Sequence, residues 1–207
     1  FMSRVIVTSH FKEDLTWLKK ATWPVVLIDH YGSVPPAIQP ARIIPNLGLE
    51  ASSYLRYIID WYDDLPEHIA FIHGHEESYH QKPNILKLIE DTELTSDMYV
   101  SLNNGDRCFE KNVPSGVRGW PGIIDRHWHV LERWGFGPKP TVCPCTELAA
   151  QFIISRNRIY RWPKQFYEDM FAYSLTPYDN YYIVCFFEWT WHYIFGEPWK
   201  RCVIHKE

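Results

Sequence analysis

A chain of 207 residues with 46% hydrophobic content can bury a sizeable core in one domain. Its net charge of −4 argues against a general nucleic-acid binder, and no apolar run reaches the ~18 residues of a membrane span. Five cysteines, odd in number and without a C-x-x-C pair, point to reduced thiols and a cytoplasmic location. Phe1 ahead of Met2 suggests a native start at Met2 with no signal segment. Residues 2–207 are expected to form one domain, itself part of a longer protein.

In chain order, residues 5–8 read as a short β-branched strand. Residues 12–20 read as a helix, with Glu13 and Asp14 in its first turn and Lys19 and Lys20 in its last, as the helix dipole prefers. Residues 25–28 form a second strand, ending at Asp29-His30-Tyr31-Gly32. Strand, helix and strand within about 30 residues open a βαβ unit with parallel strands. A proline loop leads to a short third strand at 41–44. The clearest helix spans 46–62, where Leu47, Ala51, Tyr54, Leu55 and Ile58 recur at three- and four-residue steps. The continuous apolar run 69–72 is a fourth, buried strand. A helix at 84–90, a fifth strand at 98–102, and a Gly-, Pro- and Trp-rich stretch around a short helix at 123–134 follow. A strand at 149–155, helices at 163–173 and 182–195, and an edge strand at 201–205 complete the chain. The expected fold is a single α/β domain with a mostly parallel central sheet and helices on both faces. A dinucleotide fold, a P-loop kinase and a serine hydrolase are disfavoured, since G-x-G-x-x-G, Walker and G-x-S-x-G patterns are all missing.

The fourth strand runs into His73-Gly74-His75-Glu76-Glu77-Ser78-Tyr79-His80, three imidazoles in eight residues. Ligands in open α/β sheets bind at the carboxyl ends of strands. His73, His75 and His80 are therefore candidate metal ligands, with a hydrated His-rich loop as the plain alternative. Imidazole with carboxylate suits Mn, Zn or Fe better than Mg or Ca. Strand one ends in Thr8-Ser9-His10-Phe11 and strand two in Asp29 and Tyr31. These residues could hold a nucleotide, by stacking on Phe11 or Tyr31 and hydrogen bonding to Thr8 or Asp29. Thr8 and Ser9 could equally cap the following helix. Asn46 reads as a helix cap or a ligand contact, while Glu50 and Arg56 read as a solvated face. Glu188 and His192, four apart on an apolar helix, share a face and suit either a general base or an internal Glu–His contact.

Four blocks carry a resemblance: His73-x-His75 with Tyr79-His80, residues 46–55, residues 151–156 and residues 187–196. Taken in chain order they resemble a mostly fungal family of uncharacterised proteins, which is itself similar to GT-A glycosyltransferases. The chain as a whole resembles amino-terminal glycosyltransferase domains of multidomain chlorella-virus proteins that decorate the capsid with glycan. The resemblance implies a UDP-sugar donor, a glycan acceptor, an assisting Mn2+ or Mg2+ ion, and work in the host cytoplasm if the source is viral. The chain departs from the D-x-D motif usual in GT-A enzymes, since His73-x-His75 with Glu76 and Glu77 stands there. The resemblance gives Glu188 the role of catalytic base. A metal-dependent hydrolase and a non-catalytic carbohydrate-binding module are the competing readings.

Overall fold

The computed structural model describes residues 3–33, 38–78, 81–103, 120–141 and 150–199. Six strands make one sheet in the order β3-β2-β1-β4-β6-β5. They are β1 (Arg4–His10), β2 (Val25–His30), β3 (Arg42–Ile44), β4 (His68–Ile72), β5 (Tyr99–Ser101) and β6 (Phe152–Ser155). The first four are mutually parallel, whereas β6 runs antiparallel to both β4 and β5. The sheet is thus mixed, which corrects the expectation of a mostly parallel one. The α/β class and the flanking helices are as expected.

Side chains alternate across the pleat and define two layers of core. Val5, Val7, Ile69, Phe71, Phe152 and Ile154 face the larger one, built with α1 (Leu49–Trp61), α6 (Lys164–Ser174) and α7 (Asn180–Ile194). Ile6, Ala70, Ile72 and Ile153 face the smaller one, closed by α2 (Ile85–Asp91) and the 3₁₀ turn Thr16–Lys20. Two short helices, α3 (Trp120–His127) and α4 (His129–Glu132), extend the larger layer, and α5 (Arg156–Ile159) follows β6 directly. The larger core is aromatic. Tyr54 packs on Phe71 at 4.7 Å, and its buried hydroxyl donates to the Ala150 carbonyl at 2.8 Å. That bond removes the penalty of a stranded polar group.

Two local expectations change. The helix anticipated over 12–20 shrinks to the 3₁₀ turn because side chains there bind nearby backbone. Asp14 accepts from the Thr16 amide at 2.9 Å, Glu13 accepts from the Phe11 amide at 2.5 Å, and Lys12 sits at φ 79°. Asn46 neither caps α1 nor lies within it. Gly48 stands at the cap with φ 75°, a conformation that glycine adopts without strain. No helix among the described residues is long and apolar enough to cross a membrane.

Candidate functional site

From β1 the sheet grows one way through β2 and β3 and the other way through β4. The strand order reverses between β1 and β4, and the crevice at such a switch point is where open α/β sheets bind ligands. Thr8 and Ile72 are register partners at this edge, and Thr8 Oγ1 donates to the His73 carbonyl at 3.3 Å. Past that bond the two chains diverge. A cavity of about 200 Å³ opens between them, lined by Ser9, Phe11 and Glu13 on one side and His73, Gly74 and His75 on the other. Leu49 and Glu50, in the first turn of α1, and His30 complete its wall.

Glu50, His73 and Glu188 meet there, each offering one ligating atom, and these atoms lie within 4.8 Å of one another. Burial pushes the Glu188 carboxyl up to about 8, with the Glu50 charge adding to the rise. Burial also lifts Glu50 to about 7, opposed by its own backbone amide and by His30 and reinforced by Glu13. Two carboxyls so close share a proton at neutral pH unless a cation takes its place. Burial drives His73 down to about 4, with His75 assisting, so its ring is a neutral donor near pH 7. Its backbone is held at both ends, since its amide donates to Gln151 Oε1 at 3.1 Å while its carbonyl accepts from Thr8. Gln151 in turn donates to Gln81 at 2.5 Å.

Around this centre lies a polar network. His30 donates from Nδ1 to the Pro45 carbonyl at 3.1 Å, which leaves Nε2 to accept from Ser9 or Ser53 at 3.1 and 3.0 Å. Burial lowers the His30 pKa, in keeping with that neutral ring. His10 Nδ1 lies 2.6 Å from Asp29, and its Nε2 faces the Glu13 carbonyl at 3.1 Å. Both ring nitrogens thus face oxygen atoms, which fixes the ring's orientation. Ser33 also donates to Asp29. Among the described residues the non-glycine ones with positive φ are Lys12, Leu49 and Asp179. Lys12 lies between two cavity residues, Leu49 lines the cavity, and Asp179 opens the helix bearing Glu188. Such strain gathers where function demands a fixed geometry.

The structure regroups the residues expected from sequence. His73 reaches the ligating cluster, His75 lines the cavity but is exposed, and His80 lies outside the described residues. Ser9 and Phe11 line the cavity, whereas Thr8 and His10 are buried beneath it. Asp29, 7% exposed, is engaged by His10 and Ser33, and Tyr31 stands 77% exposed. Asn46 is exposed and away from the lining. Glu188 joins the cluster, while its helix neighbour His192 packs on Trp199 at 5.3 Å. Sequence reasoning missed Glu50, Glu13 and His30. The available signal for Glu50 was a carboxylate two residues after Gly48, in the first turn of a helix.

Fold and site together define an α/β domain with a carboxylate–histidine centre at the switch point of an open sheet. The chain belongs to the family described as Protein of unknown function (DUF3431), whose model matches residues 5–207. No curated protein and no solved structure matches it.

Proposed function

We propose that this domain is a metal-assisted glycosyltransferase that moves a sugar from a UDP-sugar, of UDP-glucose or UDP-rhamnose type, to a glycan hydroxyl. The observation that carries the proposal is the meeting of Glu50, His73 and Glu188, the first two of which line the switch-point cavity. The residues fit a divalent ion: the Glu50 carboxylate and the neutral His73 imidazole as ligands, with the Glu188 carboxyl beside them, suit Mn2+ better than Mg2+. Among the described residues no Lys or Arg lines the cavity, while Glu13 and Glu50 do, so a diphosphate entering beside them calls for a cation. When bound, the ion supplies positive charge to the diphosphate leaving group.

Glu50 and His73 hold the ion, and Glu188 takes the proton of the acceptor hydroxyl. Burial lifts that carboxyl to about 8 in the ion-free protein, and a cation beside it would lower the value toward the neutral range that suits a general base. Ser9, tied to His30, offers a fixed hydroxyl to the donor, and the Phe11 ring offers a stacking face for the base. Asp29 keeps His10 in place beneath the site rather than touching the donor. The sugar chemistry itself rests on the sequence resemblance.

Thermal shift with UDP, ADP and GDP, each with and without Mn2+, tests the reading. UDP with Mn2+ should stabilise by ~2.7 kcal/mol at about a hundred times its dissociation constant, and the purine nucleotides far less. Equal stabilisation by all three, or by none, overturns it. Cleavage of UDP-sugars with water as the sole acceptor, whatever glycan is added, assigns the site to a hydrolase instead.

A further inference from the structure

Two buried glutamines stand beside the loop that carries His73. Gln151, just ahead of β6, has no exposed surface, and Gln81, a few residues ahead of α2, is 1% exposed. Their amides run head to tail. The His73 amide donates to Gln151 Oε1 at 3.1 Å, Gln151 Nε2 donates to Gln81 Oε1 at 2.5 Å, and Gln81 Nε2 donates to the Glu76 carbonyl at 2.8 Å. The three bonds close a ring across residues 73–76. Turning either side-chain amide over would set donor against donor and oxygen against oxygen, so the ring has one polarity.

Both ends of the ring are anchored from outside. The Gln151 carbonyl accepts from the Leu102 amide at 2.9 Å and from Asn103 Nδ2 at 3.1 Å. The Gln81 amide donates to the Ser78 carbonyl at 3.3 Å, and the Glu76 carbonyl also accepts from the Ile85 amide, in the first turn of α2, at 3.1 Å. Inside the ring lie His73, Gly74 and His75, which together form one wall of the cavity. That wall has little slack, since a Cβ on Gly74 would stand 3.0 Å from the Glu13 side chain facing it. Buried amides are costly unless their hydrogen bonds are met, and an apolar pair of similar shape would fill the space without that demand. Here the demand is met by backbone groups of a single loop, the one that brings His73 to Glu50.

We propose that Gln151 and Gln81 are positioning residues, which brace this loop so that the His73 imidazole meets Glu50 in ligating geometry. This rests on the reading of Glu50 and His73 as ligands of a divalent ion. Groups behind a ligating histidine commonly orient it through its second ring nitrogen. The two glutamines act instead on the backbone from which the ring projects. Gln151 holds the His73 end directly and Gln81 holds the far end, so Gln151 has the larger effect.

Gln151→Met and Gln81→Met, which keep the side-chain length and remove the hydrogen bonds, test the assignment with Mn2+ alone as the probe. Tyr167→Phe is the control for stability by itself: it breaks a buried 2.7 Å bond to the Ile159 carbonyl, beyond the opposite end of β6 from Gln151. Exchange of the His73 amide hydrogen, followed by NMR in the ion-free protein, reads the brace. Mn2+ titration well below the melting temperature reads the site. Gln151→Met should speed the exchange and weaken Mn2+ binding about tenfold or more, Gln81→Met should do both to a smaller extent, and Tyr167→Phe should do neither. Faster exchange with wild-type Mn2+ affinity in both methionine variants overturns the brace and leaves the metal reading standing. Equal loss of affinity in Tyr167→Phe and Gln151→Met also overturns it, because stability alone then accounts for the loss. Absence of Mn2+ binding in the wild-type protein overturns the metal reading itself, and the role given to the glutamines with it.

Discussion

Gly48 and Asn180 are joined by a 2.9 Å hydrogen bond that ties the start of α1 to the start of α7. Asn180 also donates to the Ser174 and Thr176 carbonyls at 2.9 and 3.0 Å. One amide side chain thereby sets the spacing of the two helices that bear Glu50 and Glu188. Gly48 cannot easily be replaced at this junction. A Cβ there would lie 2.8 Å from the Ser174 carbonyl oxygen and from the Ser52 Cβ.

Asn180→Ala should therefore loosen the cluster as well as the fold. Losing these bonds should cost about 1–3 kcal/mol of stability. Mn2+ affinity, measured by calorimetry, should fall about tenfold as the carboxylates drift apart. Asn180→Asp keeps the acceptor for Gly48 and should retain more of the affinity. A lowered melting temperature with unchanged Mn2+ affinity in both variants would restrict Asn180 to a structural role.

Replacing the two carboxylates separates holding the ion from moving the proton. Glu188→Gln should keep Mn2+-dependent UDP binding and lower turnover ~100-fold or more. Glu50→Gln should lose the Mn2+ dependence of UDP binding itself. Equal loss of that dependence in both variants would make Glu188 a third ligand rather than the base.

Stability of the ion-free protein should depend on pH in a definite way. The ordinary Glu value is 4.5, and Glu50 and Glu188 sit near 7 and 8 in the fold. The folded state thus binds more protons than the unfolded chain across that window, and stability falls as pH rises through it. His73 acts on the other side. Its folded value near 4 lies below the ordinary 6.5, so stability falls as pH drops between them. His30 and His127, also lowered by burial, act in the same direction as His73. The melting temperature should peak at roughly pH 5–6, and Glu188→Gln should flatten the alkaline side. Mn2+ should restore the loss at pH 8 by replacing the proton between the carboxyls. A flat profile from pH 5 to 8 contradicts the burial of the pair.

What the sequence disclosed follows from what is local. All the β1–β6 strands were visible as short apolar runs, and the long helices by their periodicity. The reversal of β6 was not, because a strand buried on both faces reads the same in either direction. His73 stood out by its place after a strand. Glu50 did not, since a polar residue on an amphipathic helix reads as solvated until its distant neighbour, Glu188, is known. Asp29 was conspicuous at its strand end. Its partner, His10, follows only from the β1–β2 register, in which the two residues are opposed.

The reversal of β6 reaches beyond topology. Because that strand runs backward, its beginning rather than its end arrives at the ligand edge, and Gln151 just ahead of it grips the His73 amide. Glu188 then comes from still later in the chain. The centre is therefore drawn from both ends of the polypeptide, with Ser9 and Glu188 at its extremes. Glu50 on α1 and His73 after β4 gain their third neighbour, Glu188, only when α7 is in place. Capture of a divalent ion by Glu50 and His73 would then act as a seal on the finished tertiary structure, pinning the first turn of α1 to the end of β4 beneath α7.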